Sequence, residues 1–262
     1  MTMPAIFISH GAPNLILHDA PVRDFLSTYG KTLGAPKAIV IVSAHFGTRE
    51  AAVVVDEKPG MIYDFGGFEP ELYTMQYPAP GDPALAIRVG ELLTAAGIPV
   101  HGVQNRGFDH GAWVPLKLMY PDADIPVLQL SVQPKSDPDH HLKVGRALAS
   151  LREENILVIG SGSFTHNLGE VFTPRGLAAP DAPAKDWMID FRDWMDGKII
   201  ANDTDALVHY RTEAPHAVRN HPTDEHLLPL YVAMGAGEGG KAERIHYSYQ
   251  YGALALDAYR FG

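Results

Sequence analysis

Three apolar segments that each run into a histidine-containing motif constrain the fold of this chain most. Segments 5–9, 39–42 and 156–159 lead into His10-Gly11, into Ser43-Ala44-His45, and into Gly160-Ser161-Gly162 followed by His166. Short continuous runs of Val, Ile and Leu are typical of buried strands in a parallel sheet. Ligands bind beyond the carboxyl ends of such strands, so we expect His10, His45 and His166 to gather at one rim. Imidazole binds transition metals well, and the rim is therefore predicted to be a metal site.

Strands and helices are predicted to alternate along the rest of the chain. The strand around 39–42 is expected to span 38–43. Further strands are expected at 52–55, 98–103 and 126–131, and a late strand at 244–251 suits an edge of the sheet. Helices are expected near 22–29, 83–96, 114–119, 138–152, 182–199 and 227–234. Asp82, Asp137 and Thr223 are the expected N-caps. No repeat or linker divides the chain, so the fold class is α/β: a single three-layer α/β/α domain over 1–262 with a mostly parallel central sheet.

Charge and cysteine content exclude several classes of function. The chain has 31 acidic and 21 basic residues, which gives a net charge of −10, and it has no cysteine. Nucleic acid and anionic membranes are poor partners for such a chain, because phosphate binding needs clustered Lys and Arg. Thiolate zinc sites, iron–sulfur clusters and disulfides are excluded. With no signal peptide or membrane-spanning run, we expect a cytoplasmic protein.

A fourth histidine-bearing segment lies near the end of the chain, at 220–226. We expect His226 to lie in the first turn of a helix, where His226 or the adjacent Glu225 completes a metal site with two histidines. His221 is a weaker alternative, and the acidic residues alone would also suit a helix N-terminus. Segment 56–81 is irregular and rich in aromatic residues, which suits the lining of a pocket.

Seven motifs, in this order along residues 9–230, together resemble one enzyme family. They are Ser9-His10-Gly11-Ala12-Pro13, Ser43-Ala44-His45-Phe46, Asp64-Phe65-Gly66-Gly67-Phe68, Tyr77-Pro78-Ala79-Pro80-Gly81, Gly107-Phe108-Asp109-His110-Gly111-Ala112-Trp113, Gly162-Ser163-Phe164-Thr165-His166-Asn167 and Pro222-Thr223-Asp224-Glu225-His226-Leu227-Leu228-Pro229-Leu230. The set resembles the DODA-type (4,5-DOPA extradiol) ring-opening dioxygenases, within the LigB-like class III extradiol enzymes.

The resemblance implies a reaction and a set of site residues. It implies cleavage of a catechol, such as an L-DOPA-like compound, with O2 at non-haem Fe(II), with zinc possible in its place. The implied metal ligands are His10, His45 and His226, with Glu225 able to replace or assist the third. It also implies that His166 is an acid/base catalyst and His110 lies near the substrate. The aromatic segment is expected to contribute Tyr63, Asp64 and Phe65 to substrate binding.

Two other functions remain open from the sequence. A zinc-dependent hydrolase could use the same histidines to activate water, and a binding homologue could keep the fold without catalysis. The five histidines favour the enzyme. A substrate carboxylate could pair with one of four cations, although surface placement is the better expectation for each: Arg106, Arg175, Lys185 and Arg219. The chain is expected to be a monomer or a small homo-oligomer.

Overall fold

An eight-stranded mixed sheet forms the centre of the protein, as seen in a computed structural model that describes residues 2–173 and 176–262. The strands are β1 (Ala5–Ser9), β2 (Ala38–Gly47), β3 (Ala51–Val54), β4 (Val100–Val103), β5 (Val127–Val132), β6 (Ile156–Gly162), β7 (Phe172–Thr173), β8 (Gly176–Leu177), β9 (Ala242–His246), β10 (Tyr249–Gln250), β11 (Leu254–Ala255) and β12 (Ala258–Phe261). The sheet order is β4-β3-β5-β2-β6-β1-β12-β9, and the pairs β7–β8 and β10–β11 stand apart from it.

The four central strands run parallel, as the sequence predicts. β5, β2, β6 and β1 pair in parallel, whereas β3 meets β5 and β12 meets β1 in antiparallel fashion. Neighbouring residues of β2 face opposite layers: Ile39 and Ile41 join one core cluster, and Val40 joins the other. Burial on both faces explains why these strands are almost continuously apolar.

Helices cover both faces of this sheet. The α-helices are α1 (Pro21–Leu33), α2 (Pro83–Ala95), α3 (His110–Met119), α4 (Pro138–Leu148), α5 (Leu168–Val171), α6 (Asp186–Ile200), α7 (Thr204–Val208), α8 (Tyr210–Glu213), α9 (Ala217–Asn220) and α10 (Leu228–Ala236). Side chains of α1, α3 and α6 share one core cluster, while α2 and α4 share the other with one face of α10. The predicted three-layer α/β/α arrangement is confirmed. None of the described helices is both long and apolar enough to cross a membrane.

Glycines let α10 lie directly on its neighbours. A Cβ on Gly145 of α4 would lie 2.1 Å from the carbonyl oxygen of Val232, and one on Gly160 of β6 would lie 2.1 Å from that of Pro229. All nine residues of α10 are buried. The helix that follows His226 is therefore held by close backbone contact with α4 on one side and with β6 on the other.

Several element boundaries differ from the predictions. Asp82 and Asp137 cap α2 and α4 as expected, but Thr223 does not cap α10, which begins at Leu228 without a side-chain cap. The hydroxyl of Thr223 instead donates to Glu225 at 3.0 Å, and His226 precedes the helix. The predicted strand over 244–251 is divided between β9, which is indeed an edge strand, and β10.

Candidate active site

His10 and His45 reach the carboxyl-end rim of the central strands in two different ways. His10 follows β1 directly, and its amide donates to the carbonyl of Gly162 at 3.0 Å. His45 lies inside β2, where the pairing with β5 shifts register between Ser43 and Gly47. Such irregularities redirect side chains next to active sites. The two Nε2 atoms lie 3.1 Å apart.

His226 arrives at the same point from the opposite end of the chain. The Ser163 amide, just after β6, donates to the His226 carbonyl at 2.9 Å. Only a glycine fits beside this contact, because a Cβ on Gly162 would lie 2.0 Å from the same oxygen. As a result, the His226 Nε2 lies 3.2 Å from the His45 Nε2.

Hydrogen bonds on the outer nitrogens assign the tautomers of His10 and His226. The Ser161 hydroxyl donates its hydrogen to the Gly111 carbonyl at 2.5 Å, so it must accept from His10 Nδ1 at 3.0 Å. His226 Nδ1 lies 3.0 Å from a carboxylate oxygen of Glu225, which can only accept. Both Nε2 atoms are therefore unprotonated and available as ligands.

The third imidazole completes the same pattern. His45 Nδ1 lies 3.6 Å from a carboxylate oxygen of Asp64, which favours a proton on Nδ1 and a lone pair on Nε2. With that tautomer, His45 Nε2 lies 3.1 Å from His10 Nε2 and 3.2 Å from His226 Nε2, and none of the three carries a hydrogen to donate to another. A cation between them satisfies all three. Ligating histidines characteristically donate their other N–H to a protein acceptor, as His10 and His226 do.

Burial keeps these imidazoles neutral. It is the largest cause that lowers the pKa of His10 and of His226 well below the usual value, and the neighbouring imidazoles lower both further. Burial and then the adjacent His110 lower the pKa of His45 to about 3, although Asp64 opposes this. Neutral imidazole is the form that binds metals.

His110 is held beside this cluster by Asp64. One Asp64 carboxylate oxygen accepts from both the backbone amide and the Nδ1 of His110, each at 3.0 Å. Burial raises the pKa of Asp64, but the contacts with His110 outweigh it and bring the pKa down to about 2. The His110 and His45 rings lie 3.9 Å apart between centroids. Asp64 thus holds Nδ1 of His110 and leaves its Nε2 for another partner.

Asp109 joins the strands to the helix that carries His110. Its buried carboxylate caps α3 and accepts from Ser43 at 2.6 Å and from Arg106 at 2.7 Å, and it also accepts from Gln129. Burial raises the pKa of Asp109, while the Ser43 and Arg106 contacts oppose the rise. The network fixes β2, β5 and the start of α3 relative to one another.

His166 stacks on His226 on the other side of the cluster. The two ring centroids are 3.4 Å apart at an interplanar angle of 11°. Burial lowers the pKa of His166 to about 4, partly offset by Glu225, so the ring is neutral near pH 7. The structure thus brings together all five histidines that the sequence singles out.

The potential metal ligands of the histidine cluster fall into two groups. His10, His45 and His110 form one group of ligand atoms within 4.8 Å of one another, and His166, Glu225 and His226 form another. The predicted ligand set takes two members of the first and one of the second. One carboxylate oxygen of Glu225 lies 3.0 Å from the outer nitrogen of His226.

A cavity of about 570 Å³ opens over the five histidines. Of the residues expected to bind substrate, Asp64 and Phe65 line it. Tyr63 is not among the described lining residues, and its hydroxyl donates to the Met75 carbonyl at 2.7 Å. The cavity also has an apolar wall that no sequence pattern predicts, formed by Leu168, Val171, Phe172, Leu177, Leu254 and Leu256. Its members come from three separate segments, and their spacing follows no single period.

The remaining candidates lie elsewhere. His221 is fully buried and its Nε2 lies 2.9 Å from the Phe164 carbonyl, which marks it as a core residue. Arg106 pairs with Asp109, and both Lys185 and Arg219 pair with Glu170. Arg175 lies outside the described residues.

Comparison with known proteins identifies the family. The profile described as the catalytic LigB subunit of aromatic ring-opening dioxygenase matches residues 4–262. The chain belongs to the LigB family. A protein of Beta vulgaris named 4,5-DOPA dioxygenase extradiol is 44% identical over 260 residues, covering 97% of this chain and 95% of that protein. A protein of the same name from Escherichia coli K12 is 42% identical over 241 residues, covering 90% of this chain and 86% of that protein.

A solved structure supports the same conclusion about this LigB-family chain. An uncharacterised Escherichia coli K12 protein superposes with a TM-score of 0.83 at 36% identity, covering 99% of this chain and all of that one. The predicted fold and the predicted activity, an extradiol ring-opening dioxygenase, are confirmed. The expectation of a metal enzyme is confirmed in its general form, because the histidine cluster can hold a metal ion.

Proposed function

We propose that this LigB-family enzyme opens a catechol ring beside the diol, in the manner that its relatives' name, 4,5-DOPA dioxygenase extradiol, describes. The observation that carries the proposal is the convergence of the Nε2 atoms of three buried or half-buried histidines that line the cavity. His10, His45 and His226 are the proposed ligands. L-DOPA and related catechols are the proposed substrates, together with O2.

Non-haem Fe(II) is the proposed metal. Imidazole suits iron as well as zinc, and three neutral imidazoles leave the full 2+ charge on the ion. When bound, Fe(II) supplies Lewis acidity towards the catechol hydroxyls and one-electron chemistry with O2. Glu225 and Ser161 support the site by accepting hydrogen bonds from the outer nitrogens of His226 and His10.

Proton transfers belong to the two histidines that are not proposed as ligands. His166 is neutral near pH 7, because its pKa lies at about 4, and it can accept a catechol proton and return it to the opening ring. His110 offers its Nε2 to a substrate hydroxyl while Asp64 holds its Nδ1. The apolar wall excludes water from the reacting atoms, which strengthens both interactions.

Oxygen uptake tests the proposal. Protein loaded anaerobically with Fe(II) should consume one O2 per catechol and form a yellow ring-opened product from L-DOPA, protocatechuate, caffeate or plain catechol. His10→Ala should abolish uptake, whereas His101→Ala should not, since His101 is an exposed residue of β4. No uptake with any catechol from protein that holds iron would contradict the proposal and favour a zinc hydrolase.

A further inference from the structure

An ionised carboxylate lies at the edge of the cavity. Glu69 directly follows Phe68, which lines the cavity, and the side-chain amide of Asn14, another lining residue, lies 3.3 Å from both Glu69 carboxylate oxygens. His18 Nε2 donates to one of these oxygens at 2.7 Å, since a carboxylate can only accept. This hydrogen bond is the largest cause that lowers the pKa of Glu69, so the group carries its negative charge near pH 7.

The contacts with Asn14 and His18 orient the Glu69 carboxylate without using all of its lone pairs. Each carboxylate oxygen can accept two hydrogen bonds. Within the described part of the chain, Oε1 accepts from both neighbours, whereas Oε2 accepts from Asn14 alone. The Glu69 side chain is 37% exposed, so a ligand in the cavity mouth can reach it. A held carboxylate with a free lone pair suits a ligand that brings positive charge and N–H donors.

Tyr251 lines the same cavity from a segment near the end of the chain. Its φ of 55° lies in the left-handed region, which bulky residues seldom adopt. Backbone outliers of this kind cluster at ligand-binding sites, where the surrounding structure holds them. The amide of Tyr251 donates to the Pro180 carbonyl at 3.0 Å, which fixes this turn. Burial is the largest cause that raises the pKa of Tyr251, and Glu69 raises it further, so the two side chains are close enough to interact electrostatically.

The Glu69 carboxylate is linked to the segment that carries one of the proposed metal ligands. His10 and Asn14 lie in the same short segment after β1, and Asn14 contacts Glu69. A catechol whose hydroxyls face the histidines directs the opposite edge of its ring away from them. A short side chain on that edge therefore extends towards the cavity mouth, where Glu69 and Tyr251 lie.

We propose that Glu69 and Tyr251 form a subsite for a protonated amino group on the side chain of the catechol. We call these two residues the ammonium subsite. The carboxylate offers negative charge and a hydrogen-bond acceptor, and the aromatic ring offers a cation–π contact. The inference rests on the proposed function, because it concerns the substrate of the same site. L-DOPA, one of the proposed substrates, carries such an amino group.

Two pairs of substrates test the ammonium subsite, and the members of each pair differ only in the amino group. The pairs are L-DOPA with 3-(3,4-dihydroxyphenyl)propionate, and dopamine with 4-ethylcatechol. Oxygen uptake by the iron-loaded enzyme near pH 7 gives kcat/KM for each, and the ratio within a pair reports on the amino group. Glu69→Gln should lower both ratios roughly threefold and leave kcat/KM for 4-ethylcatechol unchanged. Tyr251→Leu should lower both ratios about twofold. Anaerobic calorimetry should show the same changes in the ratios of Kd, without turnover.

The matched control is Glu71→Gln, which removes the same charge from an exposed residue of the same segment. It should leave both ratios unchanged. Unaltered ratios in Glu69→Gln overturn the inference, and so does an equal fall in Glu71→Gln, which would reflect only the general charge of the segment. An equal loss of kcat/KM for 4-ethylcatechol in Glu69→Gln also overturns it, because Glu69 would then support the cavity rather than the amino group. Unaltered ratios in Tyr251→Leu would exclude Tyr251 from the subsite. Failure of the proposed function is distinguishable, since the wild-type enzyme would then give no uptake with 4-ethylcatechol or plain catechol.

Discussion

Replacing Gly162 with alanine should damage the histidine cluster without touching any histidine side chain. A Cβ at this position would lie 2.0 Å from the His226 carbonyl oxygen, and contacts under 3.0 Å are essentially never found. The end of β6 and the backbone of His226 must therefore separate by about 1 Å, since a close-packed interior cannot absorb the overlap. Groups in a functional site tolerate displacements of only about 0.5 Å.

The expected consequences of Gly162→Ala are a loss of metal affinity and a loss of turnover. Affinity for Fe(II) should fall about 10–100-fold, the range seen when the support of a ligand is disturbed. Turnover at saturating metal should fall by roughly 100-fold, because the ring stacked on His166 moves with its backbone. The free energy of unfolding without metal should decrease by about 1–3 kcal/mol from overpacking.

Gly90→Ala is the matched control. Gly90 lies in α2, and a Cβ there would meet nothing within 4 Å. This variant should bind metal normally and gain about 0.4–1 kcal/mol in stability. Anaerobic Fe(II) titration, oxygen uptake and urea unfolding measure the three quantities. A folded Gly162→Ala protein with wild-type affinity for Fe(II) would refute the argument that His226 is positioned through its backbone.

Three further predictions follow from hydrogen bonds and burial. Asp64→Ala should lower kcat at least roughly tenfold and leave the metal content unchanged, because His110 loses the acceptor that orients it. Loss of metal would show instead that Asp64 mainly supports the metal ligands. Glu225→Ala should weaken Fe(II) binding about 10–100-fold in titrations, and wild-type affinity would contradict its support of His226. Burial lowers the pKa of His141 to about 4. The unfolded chain therefore protonates His141 at a higher pH than the folded chain does, and the free energy of unfolding falls as pH drops from 6.5 towards 4. His141→Gln should flatten that slope by up to about 1.4 kcal/mol per pH unit in urea titrations; an unchanged slope would rule out this role.

The sequence was sufficient for the central sheet because each strand carries its own local signal. The apolar runs before His10 and in β2 and β6 are buried on both faces, and such strands need no partner information to be recognised. Helices with an aspartate cap and a proline in the first turn were equally clear, as at Asp82 and Asp137. The C-terminal strand β12 was not predicted. It has only four residues, Ala258–Phe261, and only one of them is exposed, so they show no regular alternation.

Features that depend on distant contacts could not be predicted. Nothing local indicates that Ser161, with its hydroxyl committed to Gly111, fixes the tautomer of His10. Thr223 is a residue type common at helix N-caps, but its hydroxyl donates to Glu225 and the helix begins only at Leu228, too far along the chain for Thr223 to cap it. Tyr63 belongs to a segment that does line the cavity, yet its hydroxyl bonds to the Met75 carbonyl because the backbone folds back there.

Metal stoichiometry across single variants shows most directly whether His10, His45 and His226 hold one metal ion. Protein reconstituted anaerobically with Fe(II) and freed of excess metal should contain about one iron per chain in the wild type, in His101→Ala and in His166→Ala. Each of His10→Ala, His45→Ala and His226→Ala should lose nearly all of it while remaining folded by circular dichroism. Full iron retention in any of these three variants would show that the replaced histidine is not a ligand. Loss of iron from His166→Ala would show instead that His166 is one.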